Sequence, residues 1–181
     1  MTNLHHPAST TEPFAPTLPD AGEWFVLHTR SRQEKALAAD LAARRVGHFL
    51  PLIKQMRQYG RRKMPVQMPM FPGYLFLRGS LEQVYEADRT RRVSQIIRVS
   101  DQSQMDWELR NISQALSRDV VFDPYPHLTR GRRVEVRSGP MRGIQGRVED
   151  HVKPDRLLLQ VEMLGRAMSV EIDGALLDCI D

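Results

Sequence analysis

Cysteine is almost missing from this chain of 181 residues: Cys179 is the only one. A lone thiol excludes an internal disulfide framework and any cysteine-built zinc cluster within one chain, and it reads as a small apolar residue of a last strand. Long apolar runs are missing too. No stretch approaches the roughly 20 residues that cross a bilayer as a helix, and the N-terminus lacks the basic region and apolar core of a signal peptide. A cytoplasmic protein with no membrane partner is expected. His28, His48, His127 and His151 stand without ligand or triad spacing, and there is no phosphate-cradling glycine loop. These gaps argue against an enzyme, a metal and a cofactor, and leave a binding protein as the expectation.

What is present is an ordinary globular hydrophobic content, 41%, enough for one or two small domains, and an uneven distribution of charge. Between Trp24 and Ser100 there are 15 Lys or Arg against 5 Asp or Glu, a local net of +10; from Thr129 onward the balance is 9 against 9. The basic field therefore sits in the first half, where it favours nucleic acid or another polyanion.

Residues 1–22 hold Pro7, Pro13, Pro16 and Pro19 without periodicity and read as a disordered tail. Trp24 to Thr29, aromatic and β-branched, predicts a strand. Ser31 and Glu34 stand at capping-box spacing ahead of an apolar stripe of Ala36, Leu37, Leu41 and Ala42, which predicts a helix from Ser31 to about residue 46. Arg30, Arg32, Gln33 and Lys35 crowd donors at that helix start. Cations are not favoured there by the helix dipole, so an anionic partner such as a phosphate backbone explains them as well as an ordinary solvated turn does. His48 to Arg57 and the return through Pro65 and Pro69 predict a hairpin with Arg61, Arg62 and Lys63 near its tip, able to reach a polyanion or simply to keep the hairpin soluble.

The hairpin runs into Met70-Phe71-Pro72-Gly73-Tyr74-Leu75-Phe76-Leu77, a Pro-Gly turn feeding an aromatic strand on which Tyr74 and Phe76 share one face and Leu75 and Leu77 the other. Ser80 to Arg91 predicts a second helix, Val93 to Val99 a strand with Val93, Gln95, Ile97 and Val99 on one face, and Gln102 to Ser117 a third helix. The order β-α-β-β-α-β predicts an α+β fold, a four-stranded antiparallel sheet with helices on one face. Asp119 to residue 128, with Pro124 and Pro126, reads as a linker. Beyond it glycines punctuate five short β-rich runs, Arg133–Arg137, Ile144–Asp150, Arg156–Glu162, Ala167–Ile172 and Leu176–Ile180, the pattern of a small SH3-like barrel.

Gly131 to Val148, with Ser138-Gly139-Pro140-Met141 between two strands and Gly146 in the second, is similar to a KOW motif. Trp24-Phe25-Val26 opening a β-α unit, then Phe71 to Phe76, then this KOW module in the same order, resembles the NusG family of transcription elongation and antitermination factors across residues 23–181. Met163-Leu164-Gly165-Arg166-Ala167-Met168 is similar to the family's closing KOW strands. The resemblance implies an NGN domain over 23–118, a linker over 119–128 and a KOW domain over 129–181, in a monomer. It further implies that the NGN domain binds the clamp helices of bacterial RNA polymerase through Trp24, Phe25, Phe71, Pro72, Tyr74 and Phe76, and suppresses pausing or termination. Arg30, Arg32, Gln33, Lys35, Arg61, Arg62 and Lys63 would face upstream or non-template DNA. Ser138, Gly139, Pro140, Met141, Met163, Leu164 and Arg166 would meet a small-subunit ribosomal protein or Rho. Leu164 stands where housekeeping members carry Phe, and the short connection from Arg57 to Phe71 looks more like specialised, operon-selective paralogs such as RfaH, although Gln83-Val84-Tyr85-Glu86 replaces their threonine-rich contact. The glycines at 131, 139, 143 and 146 each cost about 1 kcal/mol in a helix, which favours a barrel over a helical C-terminal domain. A general NusG-type factor and a ribosome-associated RNA-binding KOW protein are the alternatives.

Overall fold

The computed structural model describes residues 18–118, 120–125, 131–148 and 156–180, with 123–125 described by their backbone. Residues 1–17 of the expected tail, residues 119 and 126–128 of the expected linker with His127 among them, His151, and the end of the expected strand at Glu149 and Asp150 lie outside the described residues. Residues 18–22, expected to be disordered, are instead held to the fold, with Leu18 packed on the core and the Arg78 guanidinium donating to the carbonyls of Pro19 and Gly22. In chain order the elements are β1 (Glu23–Thr29), α1 (Glu34–Ala43), β2 (His48–Phe49), β3 (Leu52–Tyr59), β4 (Arg62–Pro69), β5 (Tyr74–Gly79), α2 (Leu81–Asp88), β6 (Val93–Arg98) and α3 (Gln102–Leu116). They are followed by β7 (Asp123–Tyr125), β8 (Arg132–Val136), β9 (Gln145–Val148), β10 (Arg156–Val161), β11 (Arg166–Glu171) and β12 (Leu177–Cys179).

A four-stranded antiparallel sheet, ordered β2-β5-β1-β6, forms the N-terminal unit. Alternation along β1 and β5 divides its side chains between two faces. Phe25, Leu27, Leu75 and Leu77 meet Leu37, Leu41, Val84 and Ala87 of α1 and α2, while Trp24, Val26, Phe49 and Phe76 meet Met105, Leu109 and Ile112 of α3. The two crossover helices, α1 and α2, share the first face as the β-α-β-β-α-β order predicts, and the third helix, α3, returns over the second. Gln102 fixes that return. Its amide accepts from Trp24 N–H at 2.7 Å and donates to Trp24 C=O at 2.9 Å, clasping the start of β1.

Helix α1 begins later than the capping-box spacing predicts, at Glu34, with Gln33 as N-cap and no side-chain cap. Ser31 lies in the turn before it, and Glu34 serves another bond. At the other end Arg45 closes the helix in the left-handed region, φ 58°, with Val46 N–H on Leu41 C=O and Arg45 N–H on Ala42 C=O. That pair of bonds is a Schellman stop with Arg where glycine is usual. In α2 the capping box forms, Ser80 with Gln83. The expected single-face alternation of β6 fails because its pairing with β1 shifts between His28 and Thr29. The shift puts Val93 on the α1–α2 face and Ile97 and Val99 on the α3 face.

The C-terminal module is a six-stranded antiparallel sheet, order β12-β8-β9-β10-β11-β7, one strand more than expected. The extra strand is β7, from the segment read as linker, paired to β11 from Asp123↔Ser169 to Tyr125↔Ala167. Val134, Val136, Ile144, Leu157, Leu159, Val161 and Val170 fill its interior. Cys179 is exposed on the last strand. Among the described residues no helix is long and apolar enough to cross a membrane.

Candidate functional site

The Pro-Gly turn before β5 is held from three sides. Gly73 takes φ +86°, its N–H donates to Glu34 Oε1 at 2.8 Å, its C=O accepts from Thr29 N–H at 2.8 Å, and Tyr74 N–H closes on Phe71 C=O at 3.1 Å. Buried Glu34 thus ties the start of α1 to the aromatic turn. Phe71 packs edge-on against Phe76 at 6.3 Å, and Tyr74 tilts over the His28 ring at 5.1 Å.

Of the six residues expected to meet a polymerase helix, Trp24, Phe25, Phe71 and Phe76 are buried; Tyr74 is half-buried and Pro72 exposed. Phe25 lies on the opposite face from the rest, beneath α1 and α2. Trp24 is locked by α3: its indole N–H donates to Asp106 at 3.1 Å, and Arg78 stacks over the ring at 5.2 Å while pairing with Asp106 at 2.9 Å. Burial opposes the Asp106 charge, but hydrogen bonds from Arg110 and Trp24 and the guanidinium charges of Arg110 and Arg78 outweigh it, so its carboxyl lies below the usual range. Phe71 and Pro72 instead border a cleft with Ile53, Met68 and Met70 on one side and Arg166, Ala167 and Met168 of the C-terminal module on the other. That cleft is where the aromatic turn is reachable.

The expected nucleic-acid residues form two groups. At one end of the sheet, Arg30 N–H donates to Arg92 C=O at 2.8 Å and brings the β1–α1 and α2–β6 loops together. Arg30 and Arg32 are exposed there. Gln33 and Lys35 are committed to the fold, Gln33 by accepting from the Arg92 guanidinium and Lys35 by donating to Gln67 C=O at 2.6 Å. The sequence pattern did not single out Arg91, exposed beside them. Both Arg32 and Arg91 take φ 59°, a left-handed conformation that suits glycine. The doublet Arg91-Arg92 just ahead of a strand was the available signal.

The second group is the β3–β4 hairpin, where Arg61, Arg62 and Lys63 are exposed together with Lys54 and Arg57. No Asp or Glu occurs between Asp40 and Glu82. Three large apolar side chains share this basic hairpin, Met56 at 64%, Tyr59 at 57% and Met64 at 54% exposure.

The two units meet at α3. Trp107 donates its indole N–H to Gln145 Oε1 at 2.7 Å, Asn111 Oδ1 accepts from Gln145 N–H at 2.8 Å, and Arg133 lies over the Trp107 ring at 4.1 Å. Strand pairing sets Leu158, Gln160, Ala167 and Ser169 on the same face as Arg133, Gln145 and Arg147, so the module turns a largely polar face to α3. Of the residues expected to bind a KOW partner, Ser138, Gly139 and Pro140 are exposed in the β8–β9 connection and Met141 is core. Met163 lines a cleft with Val99, Asp101 and Glu108, and Arg166 borders the cleft at Phe71, so these two face the N-terminal unit; Leu164 is half-buried against the shared core. Among the described residues no group of His, Cys, Asp and Glu could hold a metal ion.

Comparison with known proteins bears on this architecture. The family model described as "Transcription termination factor nusG" matches residues 22–113. The solved structure titled "Domain interaction in Thermotoga maritima NusG" is similar at 18% identity and a TM-score of 0.46, over 88% of this chain and 97% of that one. A structure of the MjSpt4:Spt5 complex is similar at 17% identity and a TM-score of 0.29, over 87% of this chain and 98% of that one. A search of curated proteins returns no match. The family model carries the assignment, spanning half the chain from the first strand through most of α3: this chain belongs to the NusG family of transcription factors.

Proposed function

We propose that the chain is an elongation and antitermination factor that binds RNA polymerase through the aromatic turn at Phe71 and Pro72 and the cleft beside it. The carrying observation is the cleft at Phe71 and Pro72, apolar along Ile53, Met68 and Met70 and closed on its far side by β11 of the chain's own C-terminal module. A polymerase clamp helix fits such a lining, because desolvated aromatics supply most of the energy of a helix-in-groove contact. On this reading the module must move aside for the helix to enter, and half-buried Tyr74 and the turn at Phe71 are the anchors. Bridging the polymerase cleft would favour the closed, transcribing state and suppress pausing, with no bond made or broken by the factor.

The basic loop pair at Arg30, Arg32 and Arg91 and the hairpin cations at Arg61, Arg62 and Lys63 are proposed to follow upstream or non-template DNA. The exposed connection at Ser138 to Pro140 is the surface left for a ribosomal protein or Rho once the module is released. Action on selected operons is proposed from the short hairpin connection and from Leu164.

Retention by core RNA polymerase tests the reading. Phe76 is fully buried, so its removal would damage the core; Tyr74→Ser is the cleaner change. Loss of a hot-spot aromatic costs about 2 kcal/mol, roughly 30-fold in affinity. Unchanged retention by a folded Tyr74→Ser chain would overturn this assignment. Sedimentation with ribosomes in the absence of polymerase would favour the KOW-only alternative.

A further inference from the structure

The joint between α3 and the C-terminal module differs from the rest of the interior. Six polar or charged side chains are buried among the described residues, and Glu108, Asn111, Gln160 and Ser169, four of them, belong to α3 or to the module. Apolar packing also continues across the joint, since Met105, Leu109 and Ile112 share one cluster with Val134, Leu157 and Met168, but these four polar groups are the part of it that water can satisfy on opening. One of the four is ionisable. Glu108 Oε1 accepts from Glu162 N–H across the joint at 3.1 Å and from Gln104 Nε2 on its own helix at 2.9 Å.

We propose that the Glu108 carboxyl is a proton-operated latch, which holds the C-terminal module on α3 when protonated and loosens it when ionised. The groups facing it have mixed charge. Its own helix contributes the Gln104 amide and, at the rim of the cleft, the Asp101 carboxylate; the turn after β10 contributes Glu162; β9 contributes Arg147; Val99, Met105 and Met163 supply apolar walls. Burial is the leading cause of a pKa raised from the ordinary 4.5 to about 7, with the Glu162 charge adding to it and the Gln104 and Glu162 hydrogen bonds and Arg147 opposing it. Once the module lifts away, the carboxyl lies on an open helix face in water, and its pKa falls back toward the ordinary value.

The direction of the coupling follows. Below 4.5 the carboxyl is protonated in both states and docking is strongest; between 4.5 and about 7 it is protonated docked and ionised undocked, so docking weakens by up to tenfold per pH unit; above that it levels off at its weakest. The two values cap the whole change at about 300-fold. A cell interior near neutrality sits at the loosened end, and acidification closes the joint. That this would withhold the polymerase face rests on the function proposed above; the proton coupling itself does not.

Hydrogen exchange of the Glu162 amide in the full chain measures the opening directly, because that N–H is bonded to Glu108 in the docked state. Its protection, corrected for intrinsic exchange, is expected to fall about tenfold per pH unit from pH 5 and to level off near 7. Glu108→Gln keeps the accepting oxygen and removes the charge, so protection should become independent of pH and exceed that of the natural chain at pH 8. A merely structural glutamate would give the opposite, a Gln variant no better protected at pH 8. Protection that does not change from pH 5 to 8, or no protection at all, also overturns the latch. Polymerase is absent from the assay, so failure there leaves the proposed function standing, and failure of Tyr74→Ser leaves the latch standing.

Discussion

Three arginines sit where the backbone asks for glycine, and the reason separates a functional position from an incidental one. Arg32, Arg45 and Arg91 have φ of 59°, 58° and 59°. A left-handed residue bearing a Cβ costs about 1–2 kcal/mol, while glycine costs about 0.5–1 kcal/mol more chain entropy on folding. Replacement by glycine should therefore gain about 0.5–1 kcal/mol at each site, a rise of roughly 1–4 °C in melting temperature for a chain of this size. Alanine, which keeps the strain, should gain nothing. Arg32 and Arg91 stand in the paired basic loops, whereas Arg45 ends α1 at its other end, so Arg45→Gly is the control. Anisotropy titrations of a labelled DNA oligonucleotide at several salt concentrations should show Arg32→Gly and Arg91→Gly each flattening the salt slope by about 0.9, the share of a single neutralised phosphate, with Arg32→Ala flattening it as much and Arg45→Gly leaving it unchanged. Stability would rise at all three sites while binding fell at two. A lower melting temperature for Arg32→Gly, or an equal flattening of the slope by Arg45→Gly, would refute the reasoning.

The Pro-Gly turn and the C-terminal module offer two more tests. Glu34→Ala leaves the Gly73 amide without its acceptor, a loss of about 1–3 kcal/mol, and faster exchange at Gly73 with rescue by Glu34→Gln is the expected result in a hydrogen-exchange measurement. Gly146→Ala would drive a Cβ to 2.7 Å from Leu158 C=O and 2.8 Å from the Leu157 side chain, and since the first of these is backbone, the module should lose about 1–3 kcal/mol in thermal unfolding while the N-terminal unit keeps its stability.

The fold was legible where one physical rule decided an element. Alternation placed Tyr74 and Phe76 opposite Leu75 and Leu77, and helical spacing after Ser80 marked α2. It was misleading where two rules competed. Ser31 and Glu34 have capping-box spacing, yet Glu34 is drawn to the Gly73 amide, 39 residues away, and α1 starts after the turn Ser31 was meant to cap. The same limit hid the second face of the sheet: β-α-β-β-α-β order fixes which strands are neighbours, but the side taken by α3 depends on the Gln102 clasp over Trp24, 78 residues away in sequence. Chain order placed the basic loops only in part, because Arg91 is brought beside Arg30 by a backbone bond between distant segments.

The joint between the two units was the least legible feature, and its chemistry explains why. Apolar periodicity is what makes an interface visible in a sequence, and at this one Glu108, Asn111, Gln145 and Arg133 stand beside the apolar contacts, residues whose polarity gives no sign of burial. The missing signal is the same property that makes the joint able to open. A wholly apolar seam would have held the module more firmly; the polar groups of this one are silent in the sequence and can be satisfied by water when the module leaves. Burial of an ionisable side chain in such a seam then ties docking to proton activity without any further residue. Glu108 is the position where the polar character of the joint, its reversibility and its sensitivity to pH coincide.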